Sequence, residues 1–140
     1  MIEFERLFVE HSESVFRFIL NMCGDRTEAE ELTKTVFKKA FSSAVRFRGN
    51  YSVKTWLSSI AYDEYLKFIM RRKTDSAVPN KNRKDELRRM IFELPEDLRK
   101  TLVLRAYAGL PFDEIAEESG ISQNSAKVLY CRAKRAIFDR

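Results

Sequence analysis

The stretch Leu110–Arg135, LPFDEIAEESGISQNSAKVLYCRAKR, constrains the fold more than any other part of this 140-residue chain. Ile115 and Ala116 mark the inner face of a short helix, with Glu117 and Glu118 expected to face water. Gly120 supplies the left-handed residue that ends a helix at little steric cost. Ile121 then turns inward, and Ser122 offers a hydroxyl to cap the next helix. In that helix Ala126, Tyr130, Ala133 and Ile137 are spaced four, three and four apart, which makes one buried stripe. The opposite face presents Gln123, Asn124, Lys127, Cys131, Lys134 and Arg135. Two helices across a tight glycine turn, the second basic and free of acids, predict a helix-turn-helix. Amides at the helix start and cations beyond them suit base edges and phosphates in a major groove. A merely solvated basic helix is the competing reading, and the Gly-Ile-Ser turn weighs against it.

Charge is distributed unevenly behind a net value of +5. Residues 1–45 carry six Lys or Arg against eight Asp or Glu (−2), and residues 46–73 carry seven against two (+5). Residues 85–122 carry five against nine (−4), and residues 123–135 four against none (+4). Two separate basic patches on acidic bodies are the footprint of a polyanion partner. Cys23 and Cys131 form no CxxC pair and read as reduced thiols, as expected for a cytoplasmic protein. Glu3, Glu5, Arg6 and Glu10 break up the N-terminus, so no signal peptide is expected. No apolar run approaches the ~20 residues that span a bilayer. His11 is the only histidine, and there is no phosphate-binding glycine loop or nucleophile motif. Neither an enzyme, a metal site, a cofactor nor a small-molecule substrate is expected.

Helical periods account for the rest. A first helix is predicted from Ile2 to Cys23, with Phe4, Leu7, Phe8, Val15, Phe18, Ile19 and Met22 inward. Thr27 and Glu30 have the spacing of a capping box. The second helix would then bury Ala29, Leu32, Val36, Phe37, Ala40 and Phe41, leaving Glu31, Thr33, Lys34, Thr35, Lys38 and Lys39 outside. Arg46–Ser52 breaks the period with cations, aromatics and amides. A third helix from Val53 to Lys73 turns Trp56, Leu57, Ile60, Ala61 and Phe68 inward and ends in Arg71-Arg72-Lys73. Thr74–Lys84 is polar with one proline and reads as a linker. Beyond it, Leu87, Met90, Ile91 and Leu94 begin a second helical unit. Pro95 suits the first turn of a helix that buries Leu98, Leu102 and Ala106 and stops at Gly109. The predicted fold is all-α: residues 1–73 and 85–140 form two small helical domains, residues 74–84 join them, and the second holds the helix-turn-helix.

With these residues in place, the chain resembles an extracytoplasmic-function sigma factor of the sigma-70 family over nearly its whole length. AEELTKTVFKKAF (Ala29–Phe41) and FRGNYSVKTWLSSIA (Phe47–Ala61) are similar to the family's first-domain patterns. LPEDLRKTLVLRAYAGLPFDEIAEESGIS and the helix ISQNSAKVLYCRAKRAI are similar to its second-domain signature. The resemblance implies core RNA polymerase and promoter DNA as partners, and admits an anti-sigma factor. It implies polymerase binding by Glu30, Glu31, Lys34, Phe37 and Lys38. It implies reading of the −10 element by Arg48, Asn50, Tyr51, Ser52, Lys54, Trp56, Tyr62, Asp63, Arg71 and Arg72, although the spacing of Trp56 with Ile60 favours a core position. The −35 element would be read by Gln123, Asn124, Ser125, Lys127, Val128, Leu129, Arg132 and Arg135. Lys34 and Thr35 stand where the family pattern has Gln and Glu, Asp63 where it has Asn, Leu129 where it has Arg, and Pro111 at the usual Ser cap. Two alternatives stay open: a helix-turn-helix regulator that acts without polymerase, and a sigma-like interaction protein that reads no DNA.

Overall fold

The computed structural model describes residues 4–43, 51–72 and 83–139. Regular structure among them is wholly helical: α1 (Phe4–Cys23), α2 (Arg26–Ser43), α3 (Val53–Arg72), α4 (Arg83–Phe92), α5 (Glu96–Ala106), α6 (Phe112–Ser119) and α7 (Gln123–Phe138). Helices α1, α2 and α3 pack on one another as an N-terminal bundle, while α5, α6 and α7 form a C-terminal one with α4 against α7. The two bundles meet where α3 lies against α5 and α6.

In α1 the predicted stripe is buried at Leu7, Val15, Phe18, Ile19 and Met22. Phe4 and Phe8 depart from the expectation and remain exposed. They sit on the edge of the α1–α2 seam, edge-to-face with Phe41 (4.4 Å between centroids) and Phe37 (5.1 Å). Phe37 is buried there, whereas Phe41, also expected inside, stays 59% exposed. Thr33, expected outside, is buried: its Oγ1 donates to the Ala29 carbonyl at 2.6 Å, which removes the cost of taking a hydroxyl out of water. The start of α2 also differs. Asp25 caps it, its carboxylate accepting the Glu28 N–H at 3.1 Å, and the helix opens at Arg26, one residue before the predicted Thr27 cap.

Helix α3 is buried over an unusually wide arc, because the N-terminal bundle covers one side and the C-terminal bundle another. Trp56, Leu57, Ala61 and Tyr65 belong to the core, and the Tyr65 hydroxyl donates to the Met22 carbonyl at 3.1 Å. Glu64 is buried beside Lys39 of α2 and Lys67. Burial alone would push the Glu64 carboxyl up, yet Lys39, seconded by Lys67, holds it below the ordinary range.

Helix α4 begins at Arg83, inside the stretch expected to be linker, with Asp85 and Glu86 in its first turn where carboxylates suit the helix dipole. Pro95 precedes α5 in an extended conformation (φ −53°, ψ 149°) rather than opening the helix, which stops at Ala106. The buried set of α5 is Thr101, Leu102, Val103 and Leu104, whereas Leu98 is half-buried and Ala106 exposed. A helix pressed by both α7 and α3 buries a broader and rotated arc than a single-faced one.

Two stability outcomes are expected. Asp25→Ala should cost about 1 kcal/mol in a denaturant melt, and Thr27→Ala only a few tenths. Equal costs would restore Thr27 as the cap. Glu64→Gln should destabilise by about 1.5–3 kcal/mol at neutral pH. Because the folded carboxyl titrates below its unfolded value, that contribution is present above the unfolded range and is lost as pH falls through the folded one. The gap between wild type and Glu64→Gln should therefore close in acid melts.

Candidate nucleic-acid interface

The turn before α7 is built as its residues require. Gly120 takes φ 70° and ψ 32°, and the N–H groups of Gly120 and Ile121 both reach the Ala116 carbonyl. Ser122 is extended, and its Oγ accepts the Ser125 N–H at 3.0 Å while its hydroxyl pairs with that of Ser125 at 2.9 Å. Ala126, Ala133 and Ile137 are buried against the bundle, and Tyr130 is half-buried. Gln123, Asn124, Ser125, Lys127, Val128, Cys131, Arg132, Lys134 and Arg135 are exposed, with Leu129 half-buried among them. The Lys134 ammonium lies 4.7 Å from the centre of the Tyr130 ring. A short amide-bearing start followed by four cations can hydrogen-bond base edges and neutralise phosphates along one groove.

Helix α3 is the other basic element. Ser52, Lys54, Asp63 and Arg71 are exposed and Tyr51 is half-buried. Arg48, Asn50 and the side chain of Arg72 lie outside the described residues. Tyr62, which the resemblance put against a DNA strand, is buried instead, and Trp56 is buried as its spacing with Ile60 favoured. Trp56 fills the N-terminal core. The Tyr62 hydroxyl accepts from Arg99 Nε at 3.0 Å and lies 3.3 Å from Glu96, and burial pushes its phenol up.

Along the same side of α3, polar groups meet the C-terminal bundle. The Ser52 N–H and the Thr55 hydroxyl each donate to Glu114 Oε1 at 2.7 Å. The Ser59 hydroxyl donates to Glu118 Oε2 at 2.7 Å, and Lys100 of α5 pairs with Glu118 at 2.8 Å. Glu118, expected to face water, thus has a side chain only 10% exposed. Hydrogen bonds from Ser52, reinforced by Thr55, hold the Glu114 carboxyl below its ordinary range. At the rim of this seam desolvation pushes the Asp63 carboxyl up, with Lys100 opposing and Glu118 and Glu96 adding to the rise. Arg88 of α4 closes the far end, its Nε donating to the Asn21 carbonyl at 3.3 Å. Its guanidinium occupies the place a side chain would need at Gly24, where a Cβ would come within 2.6 Å of Nη1.

Thr55, Ser59, Glu114 and Arg99 fall within the family-like motifs but had no site role in the sequence reading. Ser52, Thr55, Ser59 and Tyr62 nonetheless follow steps of three, four and three, a polar stripe legible as a second helix face. On α2, Glu30, Glu31, Lys34 and Lys38 are exposed, with ion pairs Arg26–Glu30 at 3.5 Å and Glu31–Lys34 at 3.4 Å. Such surface pairs hold little energy and leave the face available. Phe37, expected on that face, is buried in the α1–α2 core. Among the described residues no group of His, Cys, Asp and Glu could hold a metal ion, and no helix is long and apolar enough to cross a membrane.

The chain is similar to known proteins along most of its length. Residues 7–74 match the family Sigma-70 region 2, and residues 84–137 match Sigma-70, region 4. The RNA polymerase sigma-H factor of Pseudomonas aeruginosa is 26% identical, over 96% of this chain and 83% of its own length. The ECF RNA polymerase sigma factor SigM of Bacillus subtilis is 22% identical, over 97% and 95% respectively. In structure, the chain superposes on the sigma factor RpoE from Bartonella quintana, solved with the anti-sigma factor NepR, with a TM-score of 0.66. That likeness, at 16% identity over 97% of this chain and 94% of the other, shows the fold. With both family regions in order along nearly the whole chain and a capped helix-turn-helix in the second, this protein belongs to the sigma-70 family as an RNA polymerase sigma factor of the extracytoplasmic-function type.

Proposed function

We propose a division of labour between the two bundles. The N-terminal unit, residues 1–73, holds core RNA polymerase through the outer face of α2, at Glu30, Glu31, Lys34 and Lys38, and reads the −10 element along α3 and the residues before it. The C-terminal unit, residues 85–140, lays α7 in the major groove of the −35 element. The factor does no chemistry of its own; it works in the cytoplasm with polymerase and promoter DNA, and an anti-sigma factor is a fitting further partner. The observation that carries this reading is the exposed, acid-free face of α7 on a helix capped by Ser122 and seated by Ala126 and Ala133. A base leaving the stack costs a few kcal/mol, and each aromatic stacking partner returns about 1–3 kcal/mol. Tyr51 and its neighbours can thus hold an opened strand, whereas opening duplex DNA requires polymerase.

Transcription in vitro with core polymerase, with and without the chain, on promoter fragments from the source genome tests the whole reading. Specific transcripts that depend on the chain are expected. A protein that neither co-elutes with core nor directs any transcript would leave one of the two rival readings.

The α7 surface is tested residue by residue. Lys127→Ala should weaken binding to every −35 duplex alike and lower the salt slope by about one unit. Gln123→Ala should cost about 1–3 kcal/mol at a single base position and relax the preference there. Leu129→Arg should raise affinity with a steeper salt dependence. Salt-series titrations of the holoenzyme decide the matter, and three unchanged variants would move DNA reading off this helix.

A further inference from the structure

Lys134 rests its charge on a ring. Its ammonium lies 4.7 Å from the centre of Tyr130, one helical turn earlier. That ring is itself held: Phe112, the first residue of α6, meets it edge-to-face with 5.5 Å between centroids. The Arg105 guanidinium of α5 lies 4.4 Å from the Phe112 centroid and donates to the Leu110 carbonyl at 3.0 Å, which ties it to the backbone before α6. Arg105, Phe112, Tyr130 and Lys134 thus form one chain of contacts from α5 across α6 to α7. The first three are half-buried, and only Lys134 is exposed. A ring draws a cation to its face through its quadrupole. For a lysine this matters, because its long side chain loses much rotamer freedom when a partner fixes it. Here the side chain is restrained before any partner arrives.

The place of Lys134 on α7 says which partner that is. Lys127 and Lys134 are seven residues apart, so they share one flank of the helix to within about 20°. That flank lies on the side where Tyr130 meets α6, next to the exposed face of Asn124, Val128, Cys131 and Arg135. With the exposed face toward base edges, cations on the flank reach the phosphates along the groove wall. We infer that Lys134 is a phosphate contact of α7 and that Tyr130 is its positioning residue, holding the ammonium ready for the DNA backbone. This inference rests on the reading of α7 as the −35 helix. The two roles leave different marks. Removing the charge changes how many counterions the complex releases, and so the salt slope. Removing the ring leaves the charge and takes away only its restraint, so affinity falls alike at every salt concentration.

The test titrates holoenzyme against a fluorescein-labelled fragment of a promoter it transcribes, over a series of salt concentrations. Lys134→Ala should lower the salt slope by about one unit. Tyr130→Leu should weaken binding about two- to fivefold at an unchanged slope. Tyr130→Phe, which keeps a ring face, should bind as the wild type does. In the Lys134→Ala background Tyr130→Leu should have no further effect, because a positioning residue acts only through the group it positions. If Tyr130→Leu loses helicity by circular dichroism, Tyr130→Met, flexible enough to fill the same space, replaces it with the same expectations. An equal loss from the Tyr130 variant in both backgrounds marks a ring that only supports the helix, and overturns the positioning role. An unchanged slope for Lys134→Ala overturns the phosphate contact. Lys127→Ala separates that failure from one of the reading beneath it. A lowered slope for Lys127→Ala alone keeps α7 in the groove and removes Lys134, whereas two unchanged slopes remove α7 as the −35 helix. In the free full chain, the Lys134 side-chain methylene protons should shift upfield under the Tyr130 ring current and lose that shift in Tyr130→Leu. An unshifted signal overturns the inference whatever the DNA titrations show.

Discussion

Helix α3 has to satisfy two neighbours at once, and most of the architecture follows from that constraint. One side supplies Trp56, Leu57, Ala61 and Tyr65 to the N-terminal core. Another supplies a ladder of hydroxyls and a backbone N–H to carboxylates of α6. No described buried side-chain polar atom is left without a partner, so the wide buried arc carries no desolvation debt. Glu64 meets the same requirement on the third side, where Lys39 ties α2 to α3.

The seam joining the bundles differs in kind from the two cores. Met22, Tyr62, Tyr65 and Leu66 face Ile91, Phe92, Val103 and Tyr107 around a small gap of about 20 Å³, flanked by Arg88 and Arg99. Beyond this apolar centre its contacts are charge-assisted hydrogen bonds, which hold geometry well but exchange with other anions more readily than buried hydrocarbon does. A joint of that composition fits the function proposed above, in which α3 and α7 take separated DNA sites. The ten residues 73–82 between α3 and α4 reach at most about 33–36 Å when extended.

Helix positions and the glycine turn were legible in the sequence because local signals set them: the stripe Ala126, Ala133 and Ile137, the left-handed Gly120, and the Ser122 cap all act within a few residues. What was not legible depends on residues far apart in the chain. Glu118 looks like a solvated acid on a short helix until Ser59, 59 positions earlier, is placed against it. Tyr62 looks like a strand-facing aromatic until Arg99 and Glu96 enclose its hydroxyl. Phe41 fits the buried period of α2, but it meets Phe4 at the edge of the α1–α2 seam and stays exposed. The Asp25 cap was missed for a smaller reason, since Asp25 and Thr27 are both good caps and only the entry angle of the chain chooses between them.

The alanines that seat α7 have a mechanical meaning. A 16-residue helix is about 24 Å long, and Ala126 and Ala133 bear on the bundle about 10 Å apart. With Ile137 buried a turn further on, these small bearings hold the helix along its whole length, and its cations stand between the supports. Arg135 lies between Ala133 and Ile137, so a shift at either support carries directly to its backbone. The position of the exposed guanidinium is thus a tolerance set by side chains on the opposite face of the helix.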